Sequence, residues 1–256
     1  MRRWNLVITI LLFILGALCY IFFDVVGLKV LEDPLANKLL CGFLSRVGLC
    51  LLFVWLLYQS SGKELFIFNY RFPKVLLWSL PCFMVALVNF PISALITGEA
   101  SINRIDLIGL YTLYIVAISF LEEIIFRGVL LLVVLDMLRN KKHKPLLTTL
   151  ICALIFSLFH LTNLFVGADI GSVLLQCLYT FLIGGMLTVV MLKSKNLWLC
   201  ILIHAIFDFG GLLIIQIGSG NPWNIAFWIM TIVSALLCAG HILMTLLKLE
   251  KAYVSR

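Results

Sequence analysis

Long runs of apolar residues, separated by short polar connections, dominate the chain. A helix that spans a bilayer needs roughly 20 apolar residues, because lipid offers its backbone groups no hydrogen-bond partners. Eight runs meet this requirement, and they predict an all-α fold, a polytopic membrane helical bundle with about eight transmembrane helices. The predicted spans are Leu6–Phe23, Leu39–Tyr58, Val75–Ile96, Leu107–Leu135, Leu146–Val166, Val173–Leu192, Leu197–Ile217 and Ile225–Leu247.

Composition supports this pattern and excludes a water-soluble domain. Of the 256 residues, 63% are hydrophobic and 12% are charged, whereas about a quarter of the residues in a soluble protein are charged. The same richness in apolar residues excludes a disordered chain. The first run follows Arg2 and Arg3 as a secretory signal would, but Leu18 before Cys19 is too bulky for a lipoprotein cleavage site and no A-x-A pattern follows the run. We therefore expect it to stay as a membrane anchor.

The net charge of +7 reflects membrane orientation. With the amino terminus in the cytoplasm, the even-numbered connections and the two tails hold fourteen Lys and Arg residues, and the opposite face holds four. This asymmetry obeys the positive-inside rule and predicts that both termini are cytoplasmic. One of the four, Arg46, is expected to snorkel outward from the second run. No basic stripe with interleaved aromatic residues indicates a nucleic-acid partner, so the lipid bilayer is the expected partner of these charges.

Small residues and prolines inside the runs predict local packing. The eight cysteines are scattered in apolar runs without a C-x-x-C pair, which is typical of small buried hydrophobic side chains. Pro81 and Pro91 are expected to kink the third run. The pairs Gly184-Gly185 and Gly210-Gly211 predict close helix packing.

Three of the predicted spans contain the ionisable residues that carry the candidate chemistry, whereas His241 in the eighth has no carboxylate within one turn and is interpreted as structural. A charge at the centre of a spanning helix costs about 2.5–3.5 kcal/mol on insertion scales. Each such residue therefore needs either a structural partner or a functional role. They are Glu122, Glu123 and Arg127 in the fourth run, His160 in the fifth, and His204 and Asp208 in the seventh.

Helix geometry separates the two neighbouring glutamates. At 3.6 residues per turn, Glu123 and Arg127 lie about 40° apart on the helix surface, and Glu122 and Arg127 about 140° apart. Glu123 and Arg127 are thus a predicted ion pair and supporting residues of a site. Glu122 points elsewhere, which leaves its carboxylate as a candidate general base. The alternative is that all three form one ion-pair cluster that holds helices together.

The histidines and Asp208 complete the candidate site. His204 and Asp208 lie one turn apart, so the carboxylate can orient the imidazole or hold its proton. Glu122, His160 and Asp208 lie at similar depths, about 16–21 Å from the cytoplasmic ends, with His204 at about 10 Å. Facing one cavity, these groups are what activation of water requires: a base, and donors for an oxyanion. The alternatives are a satisfied buried His-Asp pair and a His160 that donates to a helix carbonyl.

These residues resemble the motifs of the CPBP intramembrane proteases, also called the CAAX-protease or Abi family. The family motifs are Glu-Glu-x-x-x-Arg, Phe-x-x-x-His and His-x-x-x-Asn or Asp, on separate membrane helices in that order. Each motif is weak alone, but the three in order within an eight-span chain are specific. They stand here as Glu122-Glu123-Ile124-Ile125-Phe126-Arg127, as Phe156-Ser157-Leu158-Phe159-His160, and as His204-Ala205-Ile206-Phe207-Asp208.

The resemblance implies a role for each motif. Glu122 and His160 would activate the hydrolytic water, while His204 and Asp208 would stabilise the tetrahedral oxyanion. A relative with Asn at the Asp208 position can donate a hydrogen bond there directly, but an ionised Asp cannot. Asp208 would therefore act through His204, by keeping it protonated, or carry a proton itself.

The resemblance leaves two possibilities for cofactors, because members of the family have been classed both as metalloproteases and as metal-independent glutamate proteases. His160, His204 and Glu122 would supply three ligands to zinc. We favour the mechanism without a cofactor, since no H-E-x-x-H pair presents two histidines on one helix face.

The family also implies a range of functions. Eukaryotic members remove the last three residues of prenylated proteins, and prokaryotic members are associated with peptide maturation, bacteriocin self-immunity and signalling. We expect an intramembrane endopeptidase that acts on a membrane-embedded peptide or protein. The short loops and the lack of organelle targeting favour a bacterial plasma membrane. The expected organisation is a set of N-terminal transmembrane helices of unassigned role at 1–104, a CAAX-protease-like catalytic core at 105–217, and a C-terminal helix with a basic tail at 218–256.

Two non-hydrolytic functions compete with this interpretation. A non-catalytic membrane scaffold or bacteriocin immunity protein would keep the polar cluster for packing alone. A proton-coupled transporter would use the buried carboxylates as a relay, but the sequence lacks a pair of Gly/Pro-broken segments in matching halves.

Overall fold

The computed structural model describes residues 28–59, 61–67 and 72–254. Within them the chain forms an all-α membrane bundle, as predicted, and the first predicted span, Leu6–Phe23, lies outside the described residues. The remaining seven predicted spans are helical. The helices are α1 (Pro34–Gln59), α2 (Phe72–Trp78), α3 (Leu80–Val88), α4 (Ile92–Thr97), α5 (Ile108–Glu123), α6 (Leu131–Met137), α7 (Lys144–Phe159), α8 (Ile170–Ser194), α9 (Leu197–Ile217) and α10 (Ile225–Val254).

Six helical stretches of the described chain are long and apolar enough to cross a membrane. They comprise α1, α8, α9 and α10, the stretch Leu80–Thr97, and α7 with the 3-10 turn that follows it, Lys144–Val166. The stretch from 108 to 137 is also helical throughout, but it carries the charged motif of the fourth run. The chain is therefore an integral membrane protein.

The third predicted span is broken into three helices. Helix α2 ends before Ser79, and α3 begins with Pro81 in its first turn. A second break lies at Asn89–Pro91, before α4. The predicted kinks at Pro81 and Pro91 are confirmed, because proline fits the first turn of a helix but not its interior. At the second break, the backbone turn at 89–90 packs against α9, next to the site described below.

A π-helical segment, Ile124–Leu130, separates α5 from α6. The amide of Leu131 donates to the carbonyl of Phe126, five residues earlier, so each turn here holds more residues than an α-helical turn. The segment begins directly after Glu123 and contains Arg127. Such π segments are rare and occur frequently at functional sites.

Helix α1 packs closely on α5 around a buried arginine. A Cβ on Gly42 would lie 2.5 Å from the ring of Tyr114. Arg46 is 1% exposed, donates to the carbonyl of Gly42 at 3.0 Å and lies over the Tyr114 ring at 5.0 Å. The prediction that Arg46 snorkels outward was therefore wrong. Its guanidinium is stabilised within the protein, by a carbonyl and an aromatic face.

A two-stranded antiparallel sheet, which the sequence did not predict, closes one end of the bundle. Strand β1 (Ala100–Ile102) pairs with β2 (Gly218–Gly220), and the amides of Asn103 and Arg104 both donate to the carbonyl of Ile217, the last residue of α9. Gly220 has φ +97°, in the region that favours glycine. The sheet anchors the end of α9 to the segment that leads into α5.

Side-chain caps set where α8 and α9 begin. Asp169 accepts a hydrogen bond from the amide of Ser172 at 2.9 Å, and Asn196 accepts one from the amide of Leu199 at 3.0 Å. The Ser172 amide and hydroxyl hold the pKa of Asp169 below its usual value. The cap at Asn196 directly follows Lys195, which has a positive φ of 53°. This tight turn fixes the register of α9, and with it the depth of His204.

The predicted small-residue packing is confirmed. Gly184 lies against α7, where a Cβ would meet Phe156 at 3.0 Å, and Gly210 lies against the turn at 89–90, where a Cβ would meet the amide nitrogen of Phe90 at 2.8 Å. The cysteines in the described residues are free and either buried or half-buried, as expected for small apolar side chains; Cys19 lies outside those residues.

We expect Gly210→Ala to lower the free energy of unfolding by about 1–3 kcal/mol, because backbone atoms of Phe90 leave no room for a methyl group. Gly240→Ala is the matched control, since nothing lies within 4 Å of the Cβ that it would add to α10. There the better helix former should stabilise by about 0.5–1 kcal/mol. Thermal unfolding in detergent measures both, and equal effects would contradict the packing described for Gly210.

Candidate active site

The three motifs of the sequence meet inside the bundle. Glu122 Oε2 lies 3.8 Å from Nε2 of His204, although the two residues are on different helices, α5 and α9. The rings of His160 and His204 both pack edge-on against the ring of Phe156, with centroid distances of 5.0 and 5.9 Å. The structure therefore brings both imidazoles of the predicted site against one aromatic side chain, with the carboxylate of Glu122 beside one of them, His204.

The predicted ion pair between Glu123 and Arg127 is present and fully buried. Arg127 Nη1 donates to Glu123 Oε1 at 2.6 Å, and the two side chains are 1% and 0% exposed. Arg127 Nη2 also donates to the carbonyl of Gly184 on α8, at 3.3 Å. The arginine thus ties the fourth predicted span to the sixth.

Glu123 has a second contact that sequence reasoning missed. The same oxygen, Oε1, lies 2.7 Å from Nδ1 of His204, which donates to it. The sequence suggested Asp208 as the partner that orients this imidazole, because it is one turn away. No periodicity argument links Glu123 to His204, since 81 positions separate them. Glu123 therefore fixes the ring nitrogen that points away from Glu122.

The other ring nitrogen of His204 faces two carboxylates. Asp208 Oδ2 lies 3.3 Å from Nε2, as the one-turn spacing predicts, and Glu122 Oε2 lies 3.8 Å from it. The longer distance exceeds that of a hydrogen bond. Glu122 has no hydrogen bond to the residues that the structure describes, so both of its oxygens retain the capacity to accept one.

Exposure divides the cluster into a closed side and an accessible side. The side chains of Glu123, Arg127 and His204 are at most 5% exposed, whereas those of Glu122 and Asp208 are 16% and 17% exposed. The accessible side of the cluster is therefore the side of Glu122 and Asp208.

The cluster contains one more carboxylate than its positive charges can neutralise. Glu122, Glu123 and Asp208 supply three negative charges when ionised, and Arg127 with a doubly protonated His204 supplies two positive ones. Glu123 is shared by both cations, and Asp208 is the nearer carboxylate to Nε2. Glu122 is left as the group best placed to take up a proton.

His160 lies at the junction of α7 and the 3-10 turn His160–Val166. Its Nδ1 is 2.9 Å from the carbonyl oxygen of Phe156, which can only accept a hydrogen bond. Nδ1 therefore carries the hydrogen, and in the neutral ring Nε2 presents a lone pair. The alternative named above for this histidine, donation to a helix carbonyl, therefore holds for Nδ1, while Nε2 is available to accept a hydrogen bond. His160 is half-buried and interacts electrostatically with Glu122.

Phe156 is the central packing residue of the site. The guanidinium of Arg127 lies 4.4 Å from the centre of its ring, and the imidazoles of His160 and His204 pack against the same ring. The side chain is 1% exposed, and Gly184 leaves room for it. The sequence signal was its position one turn before His160, in the second motif.

Tyr179 on α8 is a further polar group beside the site that the sequence analysis did not single out. It interacts electrostatically with both Asp208 and Glu122, and its ring lies 6.2 Å from that of Phe207. The tyrosine thus approaches the accessible side of the cluster from a third helix.

The arrangement of donors bears on the zinc ligands considered above. No group of three or more His, Cys, Asp or Glu side chains in residues 28–59, 61–67 and 72–254 could hold a metal ion. Both nitrogens of His204 face carboxylates, and Nδ1 of His160 is bound to a carbonyl. Glu122, His160 and His204 are close together but do not form a ligand set, so we derive no step through a metal.

Comparison with known proteins identifies the region that contains this site. Residues 104–210 match the profile of a family described as type II CAAX prenyl endopeptidase Rce1-like. No curated protein and no solved structure matches the chain. All six ionisable residues of the cluster lie within the matched region. The resemblance read from the three motifs is thereby confirmed over residues 104–210, which are similar to this Rce1-like family of CAAX prenyl endopeptidases.

Proposed function

We propose that this protein is an intramembrane endopeptidase in which Glu122 and His160 activate water to cleave a membrane-associated peptide. The family is one of proteases. The observation that carries the proposal is the position of Glu122, a carboxylate without a hydrogen bond among the described residues, on the accessible side of a sealed Glu123–Arg127–His204 network. A buried carboxylate in this state is suited to accept a proton.

The chemistry begins with a water molecule between Glu122 and His160. Glu122 accepts one proton, and the lone pair on Nε2 of His160 accepts a hydrogen bond from the water, so that its oxygen attacks the peptide carbonyl carbon. The carbonyl oxygen becomes an oxyanion. The C–N bond then breaks, and Glu122 returns its proton to the leaving amine nitrogen. The second proton of the water passes from the new carboxylic acid to the amine, so the products are a carboxylate and an ammonium group, with no net change at the enzyme.

His204 stabilises the oxyanion as a positively charged imidazolium. Glu123 accepts from Nδ1, and Asp208 lies at 3.3 Å from Nε2, so both carboxylates favour the doubly protonated ring. Asp208 stands where the family motif has Asn or Asp, and it acts through His204 because an ionised carboxylate cannot donate to the oxyanion. Arg127 neutralises Glu123 and holds it in place.

The proposed substrate is a peptide anchored in the membrane, which enters the bundle laterally between helices. The family profile names prenyl endopeptidases, so a C-terminal prenylated peptide is the first substrate to test. Maturation of a bacterial leader peptide or bacteriocin is the alternative within the same chemistry. The proposed orientation is in a bacterial plasma membrane with both termini in the cytoplasm. It agrees with the distribution of basic residues, fourteen on the cytoplasmic side and three on the opposite face once the buried Arg46 is left out.

The experiment is a cleavage assay with protein purified in lipid nanodiscs. Paired peptides of one sequence, farnesylated at the CAAX cysteine or left free, are incubated with the protein, and the products are identified by mass spectrometry. We expect endoproteolytic cleavage of the farnesylated peptide, at a higher kcat/KM than the free one, because the lipid concentrates it in the bilayer. Cleavage of neither peptide, nor of a membrane-anchored leader peptide, would count against the proposed function.

Removal of metal tests the cofactor assignment. We expect 1,10-phenanthroline or EDTA to leave the cleavage rate unchanged, because the proposed mechanism uses only side chains. The bound metal content of the same sample is measured by mass spectrometry. Loss of activity upon chelation, with recovery upon addition of zinc, would overturn the metal-free mechanism while leaving the peptidase assignment intact.

A further inference from the structure

The backbone on both sides of Asp208 is held by side chains from other helices. Nδ2 of Asn89 donates to the carbonyl of Phe207 at 2.7 Å, and the hydroxyl of Tyr111 donates to the carbonyl of Phe209 at 2.6 Å. Asn89 lies at the break after α3, and Tyr111 lies on α5. Two short hydrogen bonds thus fix the carbonyls that flank the acidic residue of the third motif.

Aromatic packing reinforces the same two attachments. The ring of Phe209 packs against that of Phe90, with centroids 5.7 Å apart, and against that of Tyr111, with centroids 5.0 Å apart. Phe90 follows Asn89 in the turn, so the turn and the tyrosine each hold α9 by a ring as well as by a hydrogen bond. Tyr111 is fully buried and interacts electrostatically with Asp208.

Glycine makes this approach possible. A Cβ on Gly211 would lie against Nδ2 of Asn89, and a Cβ on Gly210 would lie 2.8 Å from the backbone nitrogen of Phe90. Any larger residue at either position would push the turn away from α9. The glycine pair predicted from the sequence as a packing feature thus lets the turn at 89–90 approach α9 just after Asp208, nearly two turns beyond His204.

We propose that Asn89 and Tyr111 are positioning residues of the peptidase site, which fix Asp208, and through it His204, in the geometry that stabilises the oxyanion. The proposal rests on the proposed function. We refer to Asn89, Phe90 and Tyr111 as the α9 clamp. Its members do not touch the reacting atoms; they set where the third motif lies relative to Glu122 on α5.

The clamp is tested with substitutions that remove only its hydrogen bonds. Tyr111→Phe deletes the hydroxyl and keeps the ring against Phe209, and Asn89→Ala deletes the amide. Thr112→Val is the matched control, because the exposed hydroxyl of Thr112 bonds only to the carbonyl of Ile108 in its own helix, at 2.7 Å. We expect Tyr111→Phe and Asn89→Ala each to lower kcat by about 5- to 10-fold, with KM and the control within twofold of wild type.

A double-mutant cycle separates positioning from general stability. If the hydroxyl of Tyr111 acts through Asp208, Tyr111→Phe should change kcat less than twofold in the Asp208→Ala background. An equal loss in both backgrounds would assign Tyr111 to the stability of the bundle alone and overturn the proposal.

A measurement without substrate distinguishes failure of the clamp from failure of the proposed function. Hydrogen exchange followed by mass spectrometry should show at least fivefold faster exchange over 207–213 in Tyr111→Phe and Asn89→Ala than in wild type or Thr112→Val. Unchanged exchange would overturn the clamp whatever the peptidase assay shows. Faster exchange in a protein whose wild type cleaves nothing would support the clamp and count against the peptidase.

Discussion

Replacement of Glu122 by glutamine should lower kcat for peptide cleavage by about 10³-fold, within the range for loss of a general base. The amide has nearly the same shape as the carboxylate, so it preserves packing, but it cannot take a proton from water. Glu122 has no hydrogen bond among the described residues and lies 3.8 Å from His204. The substitution should therefore leave the fold and the membrane insertion unchanged.

Asp136→Asn is the matched control for this variant. It makes the same carboxylate-to-amide change in the same stretch of helix, at an exposed position on α6 outside the cluster. Steady-state kinetics of both variants, with thermal unfolding of each, separates loss of chemistry from loss of structure. A Glu122→Gln protein that retains more than a tenth of the wild-type kcat would remove Glu122 from the role of general base.

Replacement of Glu123 by alanine should lower the free energy of unfolding by about 3–5 kcal/mol, because removal of one partner leaves a buried charge without its counter-ion. Glu123 holds both Arg127 and His204 through one oxygen, and its side chain is 0% exposed. Activity should be lost as well, since Nδ1 of His204 loses the group that orients it.

The effect on stability is separable from the effect on activity. Glu123→Ala combined with Arg127→Met removes both charges and should recover a large part of the lost stability, yet the double variant should remain inactive. Glu32→Ala is the control, because that carboxylate is 93% exposed and its ion pair with Lys29 is solvated. Thermal unfolding in detergent provides the comparison. If Arg127→Met does not raise the stability of Glu123→Ala, the ion pair with Arg127 is not the main contribution of Glu123 to the free energy of unfolding.

Periodicity alone predicted the contacts within single helices. The spacing of four residues placed Arg127 beside Glu123 and Asp208 beside His204, and the structure has both pairs, at 2.6 and 3.3 Å. The rise and turn of a helix bring residues four positions apart onto one face, where such pairs form. The three motifs and their order likewise predicted the similarity of residues 104–210 to the Rce1-like family.

Contacts between helices could not be predicted from the sequence. The bond from His204 to Glu123 and the bonds from Asn89 and Tyr111 to α9 join positions about 80 to 120 residues apart. In a chain whose helices are apolar on all sides, hydrophobic periodicity does not separate a lipid-facing side from a protein-facing side. The same limit explains Arg46, which was expected at the membrane surface and lies in the bundle.

The π segment after Glu123 also escaped prediction. Its residues, Ile124–Leu130, contain no proline, and the apolar run predicted one uninterrupted helix through them. The wider turn is set by packing against neighbouring helices, where Gly128 admits Leu57 and Arg127 reaches Gly184. Such irregularities depend on tertiary contacts that a single sequence does not encode locally.

The most direct measurement follows the oxygen of the attacking water. Wild-type protein and the Glu122→Gln variant are incubated with the farnesylated peptide in water enriched in ¹⁸O. The masses of the products are measured at early times by mass spectrometry. The account predicts one ¹⁸O atom in the new carboxylate formed by wild type, and no product from Glu122→Gln above the buffer control. Equal amounts of labelled product from the two proteins, or intact peptide with both, would contradict it.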